Sequence, residues 1–290
     1  MPIQPNWGAQ GHATVNRVAA EKMSSDMPAF FSAAADQLVE FGGQPDRWKI
    51  DGLPQLAASN VPDHSIMTEL VPSYPPTREG YNEMLVDKNI GKPGQRGFSA
   101  GYLPYRISEG FERLVADFAL WRHETSAHGP DTALAQELQA DAISTGGLLG
   151  HFCGDASQPL HTTVHRDGWV EAVQPNPDHY RTTPGIHFEF ETTYVNNGGV
   201  NTDEVRSKVG PPQDLQGNIL DLATAFIETS HQSVPAIYEL DKQGLLAQPN
   251  PQATALVDDR LAAGAQLLRD LWTTAWHRSE AVVGQIHDPS

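Results

Sequence analysis

With one cysteine in 290 residues, Cys153, the chain cannot form an intramolecular disulfide. No run of eighteen apolar residues occurs, so no segment has the length and character of a membrane-spanning helix. Basic residues are scarce: 19 Lys and Arg against 36 Asp and Glu leave a formal charge of −17. Non-specific nucleic-acid binding draws its affinity from cations that neutralise phosphates, so a protein that coats DNA is excluded. An enzyme that grips one phosphate is not excluded, because bound divalent ions concentrate positive charge in a single cleft. Also missing are alternating apolar–polar runs, internal repeats, heptads and low-complexity tracts. Sheet proteins, solenoids and coiled coils are set aside with them.

Helical periodicity is what the chain does have. Small and apolar residues recur at three and four from His12 to about Met23 and from Pro28 to Phe41. Between Gly42 and Gly101 the pattern dissolves, and PSYPPTREGY and NIGKPGQRGF read as loops. A helix is predicted from about Ser108, as N-cap, to Ser126, with Phe111, Leu114, Val115, Phe118 and Trp121 on one stripe. Another runs from Asp131 to about Ala156. Gly146 and Gly147 fall inside it, each costing about 1 kcal/mol relative to Ala, which a close helix approach would justify. An acidic helix is expected around Phe188 to Tyr194, then a turn from Asn196 to Asn201, and helices over Leu215–Gln232 and Gln252–Val283. The fold class is mostly α, a single-domain helical bundle over residues 1–290 with long loops, for which 22 prolines and 25 glycines supply the punctuation.

The chemistry concentrates in HFCGDASQPLH, His151 to His161, and in GIHFEFE, Gly185 to Glu191. His151 and Asp155 stand four apart on one helix and share a face. Pro159 breaks that helix, and His161 is delivered from the turn beyond it. His187 and Glu191 repeat the spacing of four. Singly, each histidine reads as a surface or satisfied core residue; together they have the imidazole and carboxylate donors that a zinc cluster takes. A Trp-x-x-x-x-His pair, Trp7 to His12, opens the first helix. Cys153 points off the ligand face and reads as a buried core thiol. His123, His128, His231, His277 and His287 are expected at the surface.

These residues resemble the zinc-dependent phospholipase C and single-strand-specific nuclease superfamily. Its HFxGDxxQPxH hallmark is matched at His151, Phe152, Gly154, Asp155, Gln158, Pro159 and His161. The WGxxGH opening of the nuclease branch corresponds to Trp7, Gly8, Gly11 and His12, whereas VNRVAAEKM and GIHFEFE are similar to the phospholipase branch, where Glu191 replaces the nucleases' Asp. The resemblance covers most of the chain and is weak in the loops. It implies up to three Zn2+ ions: one held by Asp46, His64, His151 and Asp155, a second by His161, His187 and Glu191. The third would take His12, Asp155 as a bridge, and the backbone amine and carbonyl of Trp7. Asp46, in QPDRWK, has Asp51 and Asp63 as rivals; His64 lies in VPDHSI.

The same resemblance implies a zinc-dependent phosphoric ester hydrolase. Bound zinc lowers the pKa of water to about 7, Asp155 bridges two ions, and Asp46 orients or deprotonates the attacking water. Family members carry the tryptophan as their first residue, with a free α-amine; here residues 1–6 precede it, as a leader or an appended segment. The third site is therefore expected to be weak or empty while they are retained. The beginning MPIQPNWGAQGH lacks the basic and apolar regions of a signal peptide, although the family is exported, so the compartment stays open.

Substrate devices are not copied. No carboxylate occurs between Trp7 and His12, and Ser65 stands where the nucleases place an aromatic after the second histidine. The loop from Thr162 to Pro184, with His165, Trp169, His179 and Tyr180, reads either as a different pocket or as a solvated loop. A small-molecule or lipid phosphate ester is the expected substrate, cleaved by a phospholipase-C-like phosphodiesterase. A single-strand-specific nuclease or 3'-nucleotidase is the alternative, with nucleic acid only as substrate. An inactive zinc-stabilised binding protein is the third reading, and the oligomeric state is open.

Overall fold

Trp7 starts the first helix, α1 (Gly8–Glu21), from a left-handed backbone conformation with φ 42°. A bulky residue seldom adopts that conformation, and this one is fixed by full burial of its ring and by an indole N–H donated to the Gly154 carbonyl at 2.8 Å. The computed structural model describes residues 7–92, 94 and 99–286. Residues 1–6, residues 287–290 with His287 among them, and half of the NIGKPGQRGF stretch lie outside the described residues.

Five further helices build the frame: α2 (Ala35–Gly42), α3 (Leu103–His128), α4 (Ala133–Ser157), α5 (Ile219–His231) and α6 (Pro251–Val282). Their N-termini are capped by side chains the sequence supplies. Thr132 accepts from Ala135 N, Asn218 from Leu220 N and Asp221 N, and Asn250 from Ala253 N, with Pro251 at the first position of α6. Such a cap stabilises its helix by about 1 kcal/mol. Antiparallel α3 and α4 pack side by side, α6 lies against α1, α3 and α4, and α1 and α2 cover the remaining flank of α4. A shared core runs through them, with Phe31, Phe118 and Trp272 in edge-on contact at ring distances of 5.2 and 5.4 Å. Burying each such side chain stabilises the fold by about 1.5–3 kcal/mol.

The glycines of α4 set the spacing of this bundle. A Cβ on Gly146 would lie 2.6 Å from Phe31 Cζ, and one on Gly147 2.8 Å from the Leu38 carbonyl oxygen of α2. The close helix approach expected from these two residues is present. One turn and two turns further, Gly150 faces Asn16 and Gly154 faces His12 Nδ1, both on α1. The residues that lack side chains thus admit the elements that carry ligands.

The mostly α class holds: among the described residues, β pairing is limited to the isolated bridges Ile66–Gly101 and Arg166–Gly168. Several boundaries differ from expectation. Helix α3 begins at Leu103, so Ser108 lies inside it; Pro104 in the first turn, where its missing N–H costs nothing, starts the helix earlier. The expected helix over 28–41 is two pieces, Ala29–Ser32 and α2, separated by a turn at Ala33 and Ala34, with Phe31 of the first piece buried in the core. The region read as loops holds short helices at Gln44–Arg47, Pro54–Asn60 and Arg78–Asp87, the last capped by Thr77. Helices Thr202–Lys208 and Val234–Lys242 were not anticipated.

Candidate metal centre

The end of α4 carries His151 and Asp155 inward, both with fully buried side chains. Because Gly154 leaves room, the His12 ring stacks on that of His151 at 3.8 Å. Asp46, on the short Gln44–Arg47 helix, brings Oδ1 to 3.7 Å from His151 Nε2, and Oδ2 to 4.0 Å from His12 Nε2. His64 arrives on the 3-10 turn Val61–His64. Asp155 then meets four imidazoles: its oxygens lie 2.9 Å from His64 Nδ1, 3.1 Å from His161 Nδ1, 3.3 Å from His151 Nε2 and 3.7 Å from His12 Nε2.

A second cluster adjoins the first. Pro159 ends α4, and the 3-10 turn Pro159–His161 delivers His161. His187 and Glu191 come from a helical turn that continues as the π-helix Glu189–Tyr194. Glu191 Oε1 lies 3.0 Å from His187 Nε2 and Oε2 lies 3.3 Å from His161 Nε2. Gln158 Nε2 donates to Glu191 Oε2 at 2.9 Å, and the Trp7 backbone N–H donates to the same oxygen at 3.0 Å.

Backbone carbonyls decide which ring nitrogens face inward. The Nδ1 groups of His151, His161 and His187 point at the carbonyls of Gly42, His64 and Arg166, at 2.8, 2.7 and 3.1 Å. Donation there turns each Nε2 toward a carboxylate, with a lone pair at His187 and a displaceable proton at His161, the arrangement by which an outer partner orients a metal-binding imidazole. At His187 and Glu191, lone pairs oppose each other at 3.0 Å, a contact that is repulsive unless positive charge lies between them. Both nitrogens of His12, together with Asp155 Oδ1, His187 Nε2 and Glu191 Oε1, are buried and make no hydrogen bond of workable geometry. Native interiors rarely orphan polar atoms in such number.

The electrostatics agree. Burial, reinforced by His151, lowers the His12 pKa to about 3, and burial, with Lys49 nearby, lowers that of His64 to about 4. Burial also opposes charge on His161, but Asp155 and Glu191 outweigh it and raise its pKa to about 9. Burial works against ionising Asp155 and Glu191 too, yet the surrounding imidazoles hold both carboxyls well below the usual range. The pocket wants cations. Three groups of donor atoms lie within 4.8 Å of one another: His12, Asp46 and His151; His64, His151 and Asp155; and His161, His187 and Glu191. Imidazole nitrogen with carboxylate oxygen is a set that fits zinc and related divalent ions. These groups can hold metal.

All nine expected ligand residues meet in this region. The third group gathers the residues expected for the second ion. Asp46, rather than the exposed Asp51 or the arginine-paired Asp63, reaches the cluster, where it shares a group with His12 and His151. Trp7 stands here as an internal amide: its N–H is given to Glu191 and its carbonyl accepts from Gly11 N at 3.0 Å, as in any helix start. Cys153 is fully buried, and burial pushes its thiol pKa up. His231 and His277 are half-buried rather than at the surface; His277 lies 2.7 Å from Asp26 and 3.3 Å from Asp214. In the Thr162–Pro184 loop, Trp169 stacks on His165 at 4.0 Å and packs on Tyr180, which anchors the loop. Sequence reasoning assigned no role to Gln158, although it stands in the hallmark segment and its amide fixes Glu191.

No family model matches the chain. Over 217 residues, 66% of this chain, it is 24% identical to a probable serine protease of Bradyrhizobium tropiciagri, of whose length the match covers 25%. The chain therefore spans about a quarter of that curated relative.

Proposed function

We propose that this chain is a zinc-dependent hydrolase of phosphate esters, working as a phospholipase-C-like phosphodiesterase. The observation that carries the reading is Asp155, one buried carboxylate within 3.7 Å of four imidazoles and placed between two donor clusters. His12, Asp46, His64, His151 and Asp155 on one side, and His161, His187 and Glu191 on the other, are the residues that would hold the ions. When bound, they supply Lewis-acid charge for the phosphoryl oxygens and lower the pKa of water.

The chain's own contribution is geometric. Carbonyls of Gly42, His64 and Arg166 hold three rings in one orientation, so no reorientation is needed during reaction. Asp46 is the most open of the acidic residues here, at 16% side-chain exposure against 0% for Asp155 and Glu191. Although burial opposes ionisation, His151 and Lys49 keep its carboxyl below the usual range, so it is ionised and able to accept a proton. Attack of water on the phosphorus of a diester would place that proton on Asp46 and break one P–O ester bond; returning the proton to the departing alkoxide oxygen releases an alcohol and a phosphomonoester. The named activity of the protease relative belongs to a protein of which this chain spans 25%, and nothing in the donor set favours it.

The test is turnover of bis(p-nitrophenyl) phosphate, a phosphatidylcholine surrogate and single-stranded DNA by zinc-loaded protein. Chelator-sensitive cleavage of the first two, restored by zinc, is the expected result. Preferential cleavage of DNA moves the assignment to the nuclease reading. Stable zinc with no turnover of any ester leaves only the binding protein.

A further inference from the structure

A cavity of about 230 Å³ opens beside the metal centre, walled by Trp48, Leu56, Asp63, Arg78, Arg106 and Glu109. It touches the centre through two links. Asp63 immediately precedes His64 on the same turn, and the Arg106 guanidinium lies 4.8 Å above the Phe152 ring, whose own centroid is 5.4 Å from His64 and 5.3 Å from His151. Trp48 sits two residues beyond Asp46.

The walls pair two arginines, Arg78 and Arg106, with two carboxylates, Asp63 and Glu109. Asp63 accepts a hydrogen bond from Arg78, and Glu109 Oε1 accepts two from Arg113, at 3.0 and 2.7 Å. With both carboxylates engaged by Arg78 and by Arg113 outside the cavity, neither accepts a hydrogen bond from Arg106. Among the described residues, Arg106 is the guanidinium here left without a hydrogen-bond acceptor. Its side chain is only 17% exposed, and its nearest carboxylate oxygens stand at 3.6 Å, on Glu109, and 3.9 Å, on Asp63, beyond hydrogen-bonding reach. Arg78 Nε is also buried without a partner, and that guanidinium is held 4.4 Å over the Tyr102 ring. The Arg106 fork thus faces the cavity with its hydrogen-bonding capacity unused, and a planar fork matches an oxyanion with two parallel bonds.

We propose that this cavity is an oxyanion subsite: Arg106, with Arg78 beside it, binds a phosphate or carboxylate group of the substrate other than the one being hydrolysed, and Trp48 and Leu56 cover the apolar or aromatic body that carries it. The volume suits one such group rather than a whole ligand. The proposal rests on the hydrolase reading for its role in turnover, but anion binding stands apart from it.

The experiment uses calorimetric titration with phenyl phosphate and, separately, benzoate, on zinc-loaded and chelator-treated protein. Chelator-treated wild type is expected to bind one anion, with phosphate or carboxylate preference showing which oxyanion the subsite takes. Arg106→Gln weakens that binding at least about tenfold, and Arg106→Lys recovers part of it, because a point charge replaces the fork. With zinc present, Arg106→Gln also lowers about tenfold the preference for a p-nitrophenyl diester bearing a second anion over an uncharged one. Should Arg106→Gln fail to fold, Trp48→Ala is titrated instead and is expected to weaken phenyl phosphate more than inorganic phosphate. No binding to chelator-treated wild type, or unaltered binding by Arg106→Gln, overturns the subsite. Arg106-dependent anion binding with neither ester cleaved upholds the subsite and defeats the hydrolase reading instead.

Discussion

Gln158 joins the hallmark segment to GIHFEFE: its Nε2 donates to Glu191 Oε2 at 2.9 Å, while its Oε1 accepts the Leu160 amide at 2.7 Å. The turn that presents His161 therefore also aims the carboxylate opposite it. Partners of this kind commonly contribute 10- to 100-fold to metal affinity, about the loss expected for Gln158→Leu at the group of His161, His187 and Glu191. Competition with a chromophoric chelator measures it, with circular dichroism as the check on folding. Wild-type affinity in the variant would remove Gln158 from the account.

Metal uptake should expel a proton from His161. Against the penalty of burial, Asp155 and Glu191 raise this ring to about 9, so it is charged at pH 7 when no ion is bound. A metal must replace that proton. Binding is expected to release about one proton at pH 7 and to tighten as pH rises toward 9, read from calorimetry in buffers of different ionisation enthalpy. The sign for folding is the opposite. A pKa above the unfolded value of about 6.5 stabilises the metal-free fold below that pH, and the stabilisation is lost as pH rises through 9. Zinc uptake without proton release at pH 7 would contradict this assignment.

Gly147→Ala should destabilise the protein although alanine is the better helix former. The added carbon would sit 2.8 Å from the Leu38 carbonyl oxygen, which belongs to backbone and cannot swing aside. Overpacking of this sort costs about 1–3 kcal/mol, against about 1 kcal/mol of helix propensity gained. A denaturant midpoint equal to or above wild type would show that α2 yields freely. Because α2 ends at Gly42, whose carbonyl orients His151, weaker metal binding is expected with the loss.

Protein beginning at Trp7 should bind one more zinc ion than the 290-residue chain. The Trp7 nitrogen lies 3.0 Å from Glu191 Oε2, and as an amide it can only donate there. As an α-amine, with a pKa near 8, it offers a lone pair in the same buried place. Elemental analysis of the two proteins decides this, and equal zinc content would refute it.

Much of the centre could be read from the chain because its ligands obey helical spacing. His151 with Asp155, and His187 with Glu191, are each one turn apart, and Pro159 announces the break before His161. Asp46 was only one of three contenders, since a short helix of four residues leaves no periodicity to read. The interruption between Ala29–Ser32 and α2 was invisible for a different reason: the apolar spacing continues across it, and the turn falls on Ala33 and Ala34, good helix formers that give no break signal. The oxyanion cavity was likewise unreadable. Trp48, Arg78 and Arg106 stand on three separate elements with no shared spacing, and only tertiary packing sets them around one space.

The most direct test is anomalous scattering at the zinc edge from crystals of zinc-loaded protein. Peaks are expected between Asp155 and the rings of His64 and His151, and between Glu191 and the rings of His161 and His187, at about 2.0–2.2 Å from nitrogen and oxygen. Clean density for all these side chains without an anomalous peak among them would contradict the metal centre, and with it the proposed hydrolase.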